Sequence, residues 1–259
     1  MDNKRTLCVA DIHGNYIGLR QCLERSNFNP IDDRIIFLGD LVDRYPDSKK
    51  IIDLIIDEVP NKIVIRGNHD EWFRFFLNIN KKSLDEGQDY TLVESVWAFQ
   101  GGKETLESYG LELERSSVNG NYQVKTVDID QSHLDLFNNA NLFHIEDNKA
   151  FVHGGLHLND IHFVSDFDYY WDREFWFKAR TTSLRNLPEH QISEVFKTFD
   201  KIFIGHSIVH DSEHNPEAKP VKALNVWNLD TGGGSKGKIT IMDIDTDEYW
   251  QSDFVTELY

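Results

Sequence analysis

Thr6-Leu7-Cys8-Val9-Ala10-Asp11-Ile12-His13 is a short apolar, β-branched run that stops abruptly at an aspartate and a histidine. The same design recurs four times: Ile35 to Leu38 runs into Asp40, Ile63 to Ile65 into Asn68, Ala150 to Val152 into His153, and Ile202 to Ile204 into His206. Runs of this length that end at Gly, Asp or Asn read as buried strands stopping at a turn. In an α/β protein, side chains at the carboxyl ends of neighbouring strands converge on one crevice, whatever their separation in sequence. The five strand ends therefore read as one site, and the fold class as α/β.

Working outward, the first 70 residues alternate strand and helix. Asn15 is suited to cap a helix whose Tyr16, Leu19 and Leu23 share a face, and Pro46-Asp47-Ser48 opens a second helix with Ile51, Ile52, Ile55 and Ile56 turned inward. Such βαβ units imply parallel strands with right-handed crossovers. From Glu71 to about Ala140 the pattern changes to helical periodicity through Trp72, Phe73, Phe76, Trp97 and Phe99, which predicts an inserted helical cap over 71–140. Strands resume near Ala150, and Ala223 to Ile244 is expected to form two strands joined across Thr231 to Gly237. With 259 residues and 40% hydrophobic content, one elaborated domain over 1–259 can bury its own core.

Composition narrows the function classes. A net charge of −17 argues against general nucleic-acid binding, which calls for clustered Lys and Arg. It leaves room for phosphate chemistry at one site, where bound cations reverse the local field. No apolar stretch approaches the ~20 residues of a membrane span, and Met1 to Arg5 leads into a strand without a signal-peptide pattern. A cytoplasmic protein that touches no membrane is the expectation. Cys8, in the first strand, and Cys22, on an apolar helix face, read as small core residues of a reducing compartment and not as a disulfide.

Asp11-Ile12-His13 sets a carboxylate and an imidazole two residues apart on a strand-end loop, a pattern suited to one ion although common by chance. In Gly39-Asp40-Leu41-Val42-Asp43-Arg44, Asp40 has two oxygens with which to bridge two cations, while Asp43 and Arg44 alone could be a surface ion pair. Gly67-Asn68-His69-Asp70 adds a neutral amide oxygen and another imidazole. His153-Gly154-Gly155 and Gly205-His206-Ser207 each put a histidine beside glycine directly after a strand. Any one of these tetrapeptides is unremarkable, but five coincident strand ends with N and O ligands and no thiolate point to a binuclear site for Mn, Fe or Zn.

These ordered motifs resemble the phosphoprotein phosphatase (PPP) family of binuclear metallophosphoesterases over essentially the whole chain. Gly101-Gly102-Lys103-Glu104-Thr105-Leu106 and Trp171-Asp172-Arg173-Glu174 are similar to segments of its bacterial and bacteriophage branch, which includes Ser/Thr and broad-specificity phosphatases, with diadenosine tetraphosphate hydrolases nearby. The resemblance implies a calcineurin-like metallophosphoesterase fold, a central β-sandwich flanked by helices. It implies two divalent ions, Mn²⁺ first and Fe or Zn as alternatives. Asp11, His13 and Asp40 would hold one, and Asp40, Asn68, His153 and His206 the other. It implies attack on phosphorus by a metal-bridging hydroxide, with His69 as general acid oriented by Asp43. Arg44, Arg173 and Asn68 would hold the substrate phosphate, with Arg180 as the rival of Arg173. Tyr45 and Asp70 depart from the residues usual in the family, which bears on loop shape, and Glu71-Trp72 stands where the eukaryotic enzymes carry an arginine.

Gly232-Gly233-Gly234-Ser235-Lys236-Gly237-Lys238 nearly spells a phosphate-binding loop, but Ile239 replaces the required Ser/Thr, so a flexible hairpin is expected, with Asp230 near the site. His157, His162, His210 and His214 are expected at the surface. The leading function is hydrolysis of phosphomonoesters, in phosphoproteins or small esters. A dinucleoside polyphosphate hydrolase is the alternative, and a non-catalytic interaction module the third.

Overall fold

The computed structural model describes residues 4–116, 121–157, 165–185 and 187–259. The chain opens with β1 (Thr6–Val9), α1 (Tyr16–Arg25), β2 (Arg34–Phe37), α2 (Ser48–Glu58), β3 (Lys62–Val64) and α3 (Asn68–Asp85). Next come β4 (Tyr90–Val93), α4 (Ser95–Trp97), a π turn (Ala98–Gly102), α5 (Lys103–Ser108), β5 (Glu114–Arg115), β6 (Tyr122–Lys125) and α6 (Gln131–Asn138). The remainder holds β7 (Phe143–Glu146), β8 (Lys149–Val152), α7 (Asp166–Trp171), α8 (Glu174–Arg185), α9 (Val195–Thr198), β9 (Lys201–Ile204), β10 (Val221–Ala223), β11 (Val226–Asn228), β12 (Thr240–Asp243), β13 (Tyr249–Gln251) and α10 (Val255–Leu258). Asn15 caps α1 as expected, its Oδ1 accepting from Gly18 N at 2.8 Å.

Two five-stranded mixed sheets, ordered β13-β12-β1-β2-β3 and β10-β11-β9-β8-β7, face each other. Alternation along each strand explains why the sequence runs are apolar throughout. Leu7 and Val9 point to a helical layer with Leu19, Ile51 and Phe73, whereas Cys8 and Ala10 pack between the sheets with Ile36, Phe151 and Phe203. Ala150, Val152, Ile202 and Ile204 point away from the first sheet, onto Phe175, Trp176 and Phe196. Both faces of each central strand are thus covered, and no polar alternation survives. Both cysteines are free and fully buried, and burial pushes both thiols up, Cys22 to about 12. Among the described residues no helix is long and apolar enough to cross a membrane.

Two expectations change. The segment 71–140 is not helical throughout: β4, β5 and β6 form a small antiparallel sheet. In Tyr90-Thr91-Leu92-Val93 the second and fourth residues are buried and the first and third exposed, the two-residue period of a strand, which the neighbouring aromatics obscured. Nor do the strands on either side of Thr231–Gly237 form a hairpin. β11 pairs with β9 in the second sheet and β12 pairs with β1 in the first. The loop is a crossover between sheets, and local pattern cannot separate the two topologies.

Candidate metal centre

The site forms where β1, β2, β3, β8 and β9 end. Sharp turns are needed there, and six of its residues adopt left-handed backbone: Asp11 (φ 52), His13 (φ 50), Asp40 (φ 54), Asp43 (φ 77), Arg44 (φ 71) and His206 (φ 63). For non-glycine residues this conformation costs on the order of 1 kcal/mol each, a strain typical of functional sites. The glycines are forced by crowding: a methyl on Gly67 would overlap Asp40 Oδ1, and one on Gly205 would overlap Asp11 Oδ2.

Asp40 is central. His13 Nε2 lies 3.4 Å from its Oδ2, and His153 Nε2 lies 3.4 Å from its Oδ1. His13, Asp40 and His69 form one cluster able to share an ion; Asp40, His153 and His206 form another. Asp11 accepts from His206 N at 3.1 Å, and Asn68 Oδ1 lies 3.3 Å from His153 Nε2. All six residues expected as ligands are buried and lie together. The imidazoles are aimed by backbone carbonyls, His13 Nδ1 by Val42 O at 3.0 Å and His153 Nδ1 by Leu38 O at 2.7 Å, leaving each Nε2 for the centre.

The electrostatics fit a cation. Burial, then the nearby Asp230, push the Asp11 carboxyl well above its usual range. Burial also brings Asp230 to about 6, and burial with Asp40 brings Asp70 to about 6. Burial would raise Asp40 too, but His153, His69 and His13 hold it well below the usual carboxylate range. Against burial, Asp40 pushes His153 up to about 10. Burial and the neighbouring His153 bring His206 down to about 3, and burial and Arg44 keep His13 well below its ordinary value. Neutral imidazoles are the ligating form, which suits His206 and His13, whereas His153 would release its proton on binding a cation. His206 Nε2 is moreover buried with no hydrogen-bond partner, a costly state that a metal bond would relieve. The N and O donors present suit Mn, Fe or Zn.

Beside this ring, His69 Nδ1 lies 2.6 Å from Asp43 Oδ2, and Arg44 Nη2 is 3.5 Å from His69 Nε2. Against burial, Asp40 and Asp43 raise the His69 imidazole above its ordinary value. The structure also brings in residues to which sequence reading gave no role. Thr105 Oγ1 donates to Asp43 Oδ1 at 2.6 Å, and Trp97 Nε1 donates to Asp43 Oδ2 at 3.0 Å. The only sequence signal was the Gly101–Leu106 motif, whose chemistry is invisible without Asp43 beside it. Gly101 (φ +112) packs so closely on Arg44 that a methyl there would overlap Arg44 N.

Asp70 proves to be a brace for two loops, accepting from Asp40 N (2.8 Å), Gly67 N (2.9 Å) and Leu41 N (2.9 Å). The glycine crossover is part of the site as well: Gly234 O accepts from Arg44 Nη1 at 3.2 Å, and Gly234 lies against the His13 ring.

A cleft of about 540 Å³ opens over the centre, walled in part by Arg44, Arg173, Trp72, Trp171 and Asp230. Arg173 Nη1 donates to His206 O at 2.9 Å, while Arg180 lies exposed on α8 outside the lining. His157, His210 and His214 do not line the cleft, and His162 lies outside the described residues. A larger groove of about 970 Å³, lined by Leu23, Phe28, Ile31 and Pro60 among others, sits at the other end of the strands. Among the described residues, no metal-holding group of side chains lies there.

A family model of calcineurin-like phosphoesterases matches residues 4–219. Over 89 residues the chain is 37% identical to the symmetrical bis(5'-nucleosyl)-tetraphosphatase of Dechloromonas aromatica, covering 34% of this chain and 32% of that protein. The match thus spans about a third of that relative's length. Similar solved structures include one described as a candidate diadenosine tetraphosphatase (TM-score 0.55, 16% identity, 95% of this chain and 92% of that one). Another is a metallophosphoesterase from Sphaerobacter thermophilus (TM-score 0.54, 16% identity, 96% and 89%). At such identities the likeness shows the fold alone. Facing mixed sheets, a ring of N and O ligands at their strand ends and a family match over most of the chain lead to one conclusion: this chain belongs to the calcineurin-like phosphoesterase family, hydrolases that act on phosphate esters.

Proposed function

We propose that the protein is a metal-dependent phosphatase that hydrolyses phosphomonoesters, on proteins or small molecules, in the cytoplasm. The observation that carries this reading is the His69–Asp43 pair at 2.6 Å, standing beside the ligand ring with His69 lining the cleft and Asp43 buried behind it. Asp11, His13 and Asp40 would hold one divalent ion, and Asp40, Asn68, His153 and His206 the other, with Mn²⁺ the preferred identity. When bound, two such ions would lower the pKa of a coordinated water and polarise phosphoryl oxygens.

The protein's own residues supply the rest. Asp43, fixed by Thr105 and Trp97, holds His69 through Nδ1 and leaves Nε2 to protonate the departing oxygen. The guanidinium groups of Arg44 and Arg173, with the Asn68 amide, grip the phosphoryl oxygens and favour the charge of the transition state. Segment 71–140 caps the site, its Val96 and Gln100 lining the cleft.

A second reading, hydrolysis of dinucleoside polyphosphates, has specific support in the tetraphosphatase relative. Among the described residues, Arg44 and Arg173 are the only Lys or Arg side chains lining the cleft, enough for one phosphoryl group and few for four. The test is hydrolysis of p-nitrophenyl phosphate, a phosphoserine peptide and diadenosine tetraphosphate side by side, on chelator-stripped protein with Mn²⁺ restored. Metal-dependent turnover of the first two is expected. Turnover confined to diadenosine tetraphosphate selects the second reading, and no turnover of any of them sinks both.

A further inference from the structure

The histidines, carboxylates and arginines account for the phosphate end of the cleft but not for its outer wall. From His69 outward that wall is a run of rings. His69 and Trp72 meet edge to face with centroids 5.2 Å apart, Trp72 and Trp171 do the same at 5.3 Å, and Phe167 stacks on Trp171 at 5.7 Å. Trp171 also meets His206 edge to face at 5.8 Å. Trp72 comes from α3, Trp171 and Phe167 from α7, so two separate elements bring the rings together. Both tryptophans line the cleft and are only half-buried, while Phe167, 58% exposed, extends the run beyond the cleft lining. Such an aromatic surface in water carries a hydration cost that a core location would have removed.

We infer that the Trp72–Trp171–Phe167 wall is a subsite for a planar aromatic ring carried on the leaving group of the substrate. The inference rests on the phosphatase reading and on His69 as donor to the leaving oxygen. Trp72 is the wall ring that meets His69, at 5.2 Å, so a substituent on an oxygen held by His69 would start beside the run of rings. Among the described residues no Lys or Arg lines the cleft beyond Arg44 and Arg173, and Val96 and Ile208 add only carbon. Selection of the group beyond the phosphate therefore depends on shape and ring contact, for which edge-to-face and offset stacking are the favourable geometries. A phenol ring and a nucleobase share this chemistry.

The test compares benzyl phosphate with cyclohexylmethyl phosphate on the Mn²⁺-restored protein, two esters of similar size whose alcohols are similarly basic. A preference of roughly 2- to 10-fold in kcat/KM for the benzyl ester is expected, carried mainly in KM. Trp171→Leu should bring the ratio close to one, and Trp171→Phe, which keeps a ring, should retain most of it. A second readout needs no turnover: 4-nitrobenzylphosphonate should quench tryptophan fluorescence with saturation, and the Trp72→Leu/Trp171→Leu protein should lose most of that quenching. Equal kcat/KM for the two esters, or quenching that survives the double substitution, overturns the subsite. Silence toward every ester, p-nitrophenyl phosphate included, overturns the phosphatase reading instead, while fluorescence still reports on the wall. Phosphotyrosine and adenosine 5'-monophosphate run alongside distinguish a phenol from a nucleobase, and a Trp171-dependent preference for either supports the subsite.

Discussion

The two ends of the sandwich hold the sheets together in opposite ways. At the amino ends of the parallel strands, opposite charges are matched between sheets. Arg34 pairs with Glu146, Lys149 with Asp245 at 2.9 Å, and Lys201 with Asp247 at 2.6 Å. At the carboxyl ends, Asp11, Asp40, Asp70 and Asp230 crowd into one buried space with His13, His153 and His206, four of them (Asp11, His13, Asp40 and His206) on left-handed backbone. One end is satisfied as the chain folds; the other is left with an orphaned imidazole nitrogen and carboxyls pushed up by burial. The amino ends are arranged for stability, and the carboxyl ends surrender stability for ligand chemistry.

Three substitutions can break or sharpen that contrast. The largest effect belongs to Asp11→Asn, which should lower metal content and turnover together, turnover by more than ~100-fold. Because burial opposes the Asp11 charge, the stripped variant should melt no lower than stripped wild type. A lower melting temperature in the stripped state would mean that the crowded end contributes stability after all. Thr105→Val should retain metal and fold but lose roughly 10- to 100-fold in turnover of alkyl phosphates. Less loss is expected with p-nitrophenyl phosphate, whose leaving group needs no proton, and recovery is expected in Thr105→Ser. Equal loss on both substrates would remove Thr105 from the support of His69.

The smallest effect is at the other end. Glu146→Gln should leave turnover unchanged and cost about 1 kcal/mol in denaturant unfolding at neutral pH. Burial raises the Glu146 carboxyl, but His144 and Arg34 hold it below its ordinary value. A group depressed in the folded state stabilises fully above its ordinary pKa, and that contribution is lost as pH falls through the depressed value. The gap between wild type and variant should therefore close in acid. A gap that is constant with pH would trace the cost to packing.

What the sequence discloses follows the same contrast. Each residue of the ring is legible because it follows a strand, and a strand buried on both faces leaves an unmistakable apolar run before it. Thr105 and Trp97 are not legible, since they reach Asp43 only through tertiary packing across 62 and 54 residues. The strand Tyr90–Val93 is lost among aromatics, and the glycine crossover imitates a hairpin because turn residues serve both connections. Asp230 is anticipated near the centre; the contact of Gly234 with His13 is not.

The crossover also fixes an order of events. β12 is the strand that closes the open edge of β1, pairing Leu7 with Asp243, and the loop leading into it seals His13 and Arg44. Contacts spanning nearly the whole chain form late, because closing so long a loop has an entropic cost that only subsequent packing repays. A chain emerging from the ribosome can lay down β1, β2 and β3 and present Asp11, His13, Asp40 and Asn68 to solvent. It reaches His206 only 195 residues after Asp11, and the seal later still. The centre is therefore completed late, when the crossover and β12 close over residues laid down first.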